Sequence, residues 1–93
     1  MTTDHRQLAQ SNIKALIERL KALPGAPAAL VEECEALSRA IAAFHMEGIR
    51  FRMYNVDRLL KQAGDPGDTR RLLDDVRHAL ETAGFHTRSH TAP

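Results

Sequence analysis

The sequence predicts an all-α protein of three helices with a long central one, and three observations carry that expectation. Leu and Ala, both strong helix formers, dominate the apolar residues. Val, Ile and Thr never cluster or alternate with polar residues, so no strand is supported. Two breaks combine Gly with Pro, at Pro24-Gly25-Ala26-Pro27 and at Gly64-Asp65-Pro66-Gly67, and they divide the chain into three periodic segments.

The first helix is expected over about 4–23. Thr3 or Asp4 can cap its free N–H groups. Ala9, Ile13, Leu16, Leu20 and Leu23 follow alternating steps of four and three, as in a coiled-coil seam, while Lys14, Glu18 and Lys21 lie opposite. The central helix is expected over about 27–63, opened by Pro27, whose missing N–H costs nothing in a first turn. Its seam reads Leu30, Cys34, Leu37, Ile41, Phe44, Gly48 and Phe51, with no proline inside it. At 1.5 Å per residue such a rod is roughly 55 Å long. The third helix is expected over about 69–83, capped by Asp68 and striped by Leu72, Leu73, Val76, Ala79, Leu80 and Ala83. Gly84 and Phe85 read as a Schellman stop, with Phe85 folding back on the last turn. Residues 1–85 then form one helical domain, and 86–93 form a polar tail without periodicity, expected to be mobile.

Short connections make the outer helices antiparallel neighbours of the rod. A two-helix cross-section buries little, and the second half of the rod is apolar over a broad arc through Met46, Ile49, Met53, Val56, Leu59 and Leu60. A helix apolar on so many sides asks to be buried. A second copy of the chain is the simplest cover, because two-fold dimers are the commonest soluble oligomers, and a dimeric helical bundle is therefore expected.

Composition narrows the function classes. The chain has 93 residues, 43% hydrophobic and 27% charged, with a formal net charge of +1, so no bulk attraction to nucleic acid or anionic membrane follows. Its single cysteine has no partner for an internal disulfide, and the N-terminus lacks the apolar core of a signal peptide. No apolar run approaches the roughly 18 residues that would span a bilayer. A cytoplasmic location without membrane association is expected.

Few residues carry a chemical signal. His45 and Arg52 are polar positions where the rod pattern calls for apolar ones, and Gly48 and Asn55 lie on an adjoining face. These four are a candidate interface or ligand site; a buried Arg needs an acidic or carbonyl partner, and such a pair sets register more often than it binds an anion. Gly48 in mid-helix costs roughly 1 kcal/mol against Ala and suggests close approach of another helix. Arg50, Arg58, Lys61, Arg70 and Arg71 form a candidate basic patch, but Glu47, Asp57, Asp65 and Asp68 are interleaved with them, as on a face laced with ion pairs. Cys34, on the seam, reads as an inert core thiol. His86 and His90 are four apart in the tail, and His5, His45 and His78 are scattered, so no metal set is expected. No nucleophile elbow, phosphate loop or dinucleotide turn occurs, and no cofactor is implied.

These features together predict a small homo-oligomeric interaction protein, an adaptor, accessory subunit or assembly factor without catalysis of its own. A nucleic-acid-binding regulator is the alternative, and a helical enzyme or anion binder with its site around Arg52 is the third.

Overall fold

The computed structural model describes residues 4–85, and every regular element among them is a helix. Four helices follow one another: α1 (His5–Ala22), α2 (Ala28–Ala42), α3 (Met46–Gln62) and α4 (Thr69–Thr82). None is long and apolar enough to cross a membrane. The expected tail, 86–93, lies outside the described residues.

The outer helices form as their sequences dictate. Asp4 caps α1, its carboxylate accepting from the N–H groups of Arg6 and Gln7 at 3.0 and 3.2 Å. Ala9, Ile13, Leu16 and Leu20 are wholly buried, so the seam inferred from spacing faces the core. At the other end Gly84, with φ +99°, lets the chain reverse, and the Phe85 N–H donates to the Leu80 carbonyl at 2.9 Å. Phe85 is buried, as the expected fold-back requires. Asp68 precedes α4 but makes no capping bond through its side chain. It meets Arg19 at 3.3 Å and Arg71 at 3.4 Å instead, and the Thr69 hydroxyl donates to the Pro66 carbonyl at 2.5 Å.

The long central helix does not exist as one rod. It breaks at Ala43-Phe44-His45, which makes four helices rather than three among the described residues. Phe44 takes a left-handed conformation, φ +57°, and the N–H groups of Phe44 and His45 donate to the carbonyls of Ile41 and Ala40. This is a Schellman ending with Phe in the place usually taken by glycine. His45 then caps α3: its Nδ1 accepts from the Gly48 N–H at 2.8 Å.

The apolar pattern explains the break. At 3.6 residues per turn, the stripe Leu30, Cys34, Leu37, Ile41 and the stripe Ile49, Met53, Val56, Leu60 would point roughly 100° apart on a continuous helix. One straight rod cannot aim both at one core. With the break, all eight side chains are fully buried. The left-handed Phe44 costs about 1–2 kcal/mol, less than the roughly 1.5–3 kcal/mol that burying a single large apolar side chain returns. The seam expected to run on through Phe44 and Phe51 ends at Ile41, and both rings are more than half exposed.

The α2–α3 hairpin packs through α2 on α1; α1 in turn lies against α4, and α3 touches α4 more lightly. The molecule measures 38 × 35 × 20 Å, so a roughly 55 Å rod would not fit within it. Its core joins all four helices, and much of the apolar surface that called for a second copy is buried within one chain.

Candidate functional site

The outer face of the α2–α3 hairpin carries two adjoining grooves. α2 contributes small residues, Ala29, Ala36, Ala40 and Ala43, because its large apolar residues all point to the core. α3 runs back alongside, and Gly48 lies where it meets Ala40. A Cβ built on Gly48 would be 3.5 Å from the Ala40 Cβ and only 2.6 Å from His45 Nδ1. The glycine therefore admits the capping imidazole more than it admits another helix. Ala36, Arg39, Ala40 and Ala43 on the α2 side and Gly48, Phe51 and Arg52 on α3 line a groove of about 480 Å³. A second groove of about 460 Å³ shares Ala36, Arg39 and Arg52 with it and continues toward Ala29, Glu32 and Arg58.

Arg52 has the acidic partner its position demands. Its Nη1 donates to both oxygens of Glu33 at 3.0 and 2.8 Å, and Asn55 Nδ2 donates to Glu33 Oε1 at 3.1 Å. Glu33 is largely buried, with 17% of its side chain accessible, so two donors from α3 satisfy a carboxylate from α2. The Arg52 guanidinium also lies 5.3 Å from the Phe51 ring centroid. Thus Arg52 and Asn55 share one partner, and His45 and Gly48 share one hydrogen bond at the hairpin turn. By hydrogen bonding the four candidates form two pairs, yet His45, Gly48 and Arg52 line one groove of the hairpin, and Asn55 joins them only through Glu33. Glu33 itself was not singled out from sequence, because its tie to Arg52 exists only once the rod is bent.

The five basic candidates fall on several faces. Arg70 is held by Asp57 at 2.6 Å and by Asp65 at 2.8 Å, and Lys61 lies 3.4 Å from Asp57. Arg71 pairs with Asp68 and Asp75. Burial opposes ionisation of Asp57, but the hydrogen bond and charge of Arg70, with Lys61 and Arg77 nearby, hold its carboxyl below the ordinary value of 3.8. Arg70 is likewise shifted upward, its own burial being outweighed by Asp57 and Asp65. Arg50 is half-buried, and its Nε has no hydrogen-bond partner among the described residues. Arg58 alone of the five lines the groove with Arg39 and Arg52. Three of these five charges are thus spent on the chain's own carboxylates, as the interleaved acids suggested.

A third hollow, of about 330 Å³, lies where the α1 N-terminus, the hairpin turn and the end of α4 meet. There Phe44 stacks on Phe85 with centroids 6.0 Å apart, and the Arg6 guanidinium sits 4.0 Å above the Phe44 ring. Cys34 is wholly buried, and burial together with the charges of Glu33 and Glu35 pushes its thiol up to about 12. Such a thiol is no nucleophile near neutral pH. Among the described residues no group of three or more His, Cys, Asp or Glu could hold a metal ion. His78 is exposed on α4, and His86 and His90 lie outside the described residues.

No protein-family model matches this chain, and neither a curated protein nor a solved structure matches it.

Proposed function

We propose that this chain is a small cytoplasmic interaction protein that works as a homo-oligomer through the outer face of the α2–α3 hairpin. The observation that carries the reading is Phe51. The residue is 55% exposed on α3, beside a groove floored by alanines, with Tyr54 one turn on at 42%. Exposed aromatics clustered around a small-residue groove are the usual anchors of protein–protein association. The lone core thiol suits a reducing compartment. Sedimentation equilibrium over the micromolar range tests the reading, and a dimer or higher homo-oligomer is expected. A chain that stays monomeric throughout would refute it.

A second reading rests on Arg39, Arg52 and Arg58 lining one groove. They could receive a small carboxylate or phosphate, although Glu33 already neutralises Arg52. Titration calorimetry with inorganic phosphate and with a small dicarboxylate separates the two readings. Heat that vanishes in Arg39→Ala would favour the anion site, whereas no heat with either would discard it.

A further inference from the structure

The arrangement of charge on the hairpin face specifies how two copies meet, an inference that rests on the homo-oligomer reading above. On α2, Glu32, Ala36, Arg39 and Ala43 follow steps of four, three and four, away from the buried stripe. On α3, Glu47, Phe51, Tyr54 and Arg58 follow the same steps. Such spacing places each set on one line along its helix. All eight residues are exposed except Ala36, which is half-buried.

Each line carries a carboxylate toward its N-terminal end and a guanidinium further along. Among the described residues none of these four charged side chains enters an ion pair, whereas Glu33, Arg52, Asp57 and Arg70 nearby are all paired. The two lines are also in step. Ala40 lies beside Gly48, and Glu33 is bonded to Asn55, so α2 and α3 run antiparallel in a known register. In that register the midpoint between Glu32 and Arg39 stands level with the midpoint between Glu47 and Arg58.

We infer that two chains associate face to face about a two-fold axis crossing the hairpin at that level, α2 antiparallel to α2 and α3 antiparallel to α3. A single axis then satisfies both lines at once. Glu32 meets the partner's Arg39, Glu47 meets the partner's Arg58, and each contact occurs twice. Phe51 comes opposite the partner's Tyr54 near the centre, with Ala36 and Ala43 allowing the helices to approach. The pattern is antisymmetric about its midpoint and carries no net charge, which is what an isologous contact requires. An anionic ligand would call for an excess of positive charge. A foreign helix would not require both lines to be centred at one level.

The test uses the full chain and charge reversal. Glu47→Arg and Arg58→Glu each place like charges across the interface twice and should weaken self-association at least roughly tenfold. Mixing the two variants should restore dimerisation, because each supplies what the other repels, and mass spectrometry of the mixture should show the heterodimer. Among the described residues neither side chain has an ion-pair partner, so thermal melting of each variant, done where the chain is monomeric, should follow the wild type closely. An Ala36→Cys, Cys34→Ala chain should also form an intermolecular disulfide under mild oxidation. If the wild type is a dimer but reversal has no effect and mixing gives no heterodimer, this interface is wrong and the homo-oligomer reading stands. If the wild type is monomeric at all concentrations, both fail.

Discussion

His45 and Gly48 make a two-residue device in which each determines what the other can be. The imidazole Nδ1 accepts the Gly48 N–H, and a methyl group on Gly48 would sit 2.6 Å from that same atom. An ordinary exposed Gly→Ala change in a helix stabilises by about 1 kcal/mol. Here Gly48→Ala should leave the melting temperature nearly unchanged, because the ring must swing away and the lost cap, worth about 1 kcal/mol, offsets that gain. His45→Ala should cost a similar amount alone. In the His45→Ala background, Gly48→Ala should recover the full gain of about 1 kcal/mol, a coupling that a double-mutant cycle by thermal melting would read directly. Cys34 gives the second residue-level prediction. Its folded pKa, about 12, is raised above the ordinary 9.0, so its contribution to stability is full below pH 9 and is lost as pH rises toward 12. Cys34→Ala should lack that part of the alkaline decline. A thiol reagent should label the wild type only at the rate of unfolding.

Between elements, the α3–α4 connection is held by charge more than by apolar area. Arg70 reaches Asp57 on α3 and Asp65 in the loop, and it is only about a quarter exposed. Asp57→Ala would leave this guanidinium half satisfied and should cost about 2 kcal/mol in chemical denaturation. The folded pKa of Asp57 lies below its unfolded value, so its contribution is present above that unfolded value and lost as pH falls through the folded one. The gap between wild type and Asp57→Ala should therefore narrow as the pH drops below about 4. A gap independent of pH would show that Asp57 acts by packing alone. The α2–α3 connection differs, because Arg52 and Asn55 tie Glu33 across the hairpin while apolar stripes close it from below.

For the whole molecule, bending the rod changes the argument for self-association. A continuous helix needs a second chain to cover its apolar second half. In the folded chain Ile49, Met53, Val56 and Leu60 are covered by its own helices. What stays exposed is Leu8 on α1, Phe44 at the hairpin turn, and Met46, Phe51 and Tyr54 on α3, with Phe51 beside the alanine groove. Phe51→Ala should therefore leave the unfolding free energy within about 0.5 kcal/mol when measured where the chain is monomeric. The same change should weaken the dimer, and sedimentation compared with denaturation separates the two effects.

From the sequence alone, helix content, the outer helices with their ends, and nearly all of the buried residues were legible, because each is recorded in local spacing and punctuation. Asp4 as a cap and Gly84-Phe85 as a stop are of this kind. The break at Phe44 was not legible by punctuation, since it contains neither Gly nor Pro; its trace was the phase slip between the stripes of Leu30–Ile41 and Ile49–Leu60. Of the candidate site, Arg52 was recognisable as a residue needing an acid, but not which acid. Glu33 becomes its partner only because the hairpin turns residues far apart on a rod into neighbours. A sequence records which face of each helix is apolar. Where two such faces disagree, the gain from burying both in one core decides the path of the chain, and that gain belongs to tertiary packing.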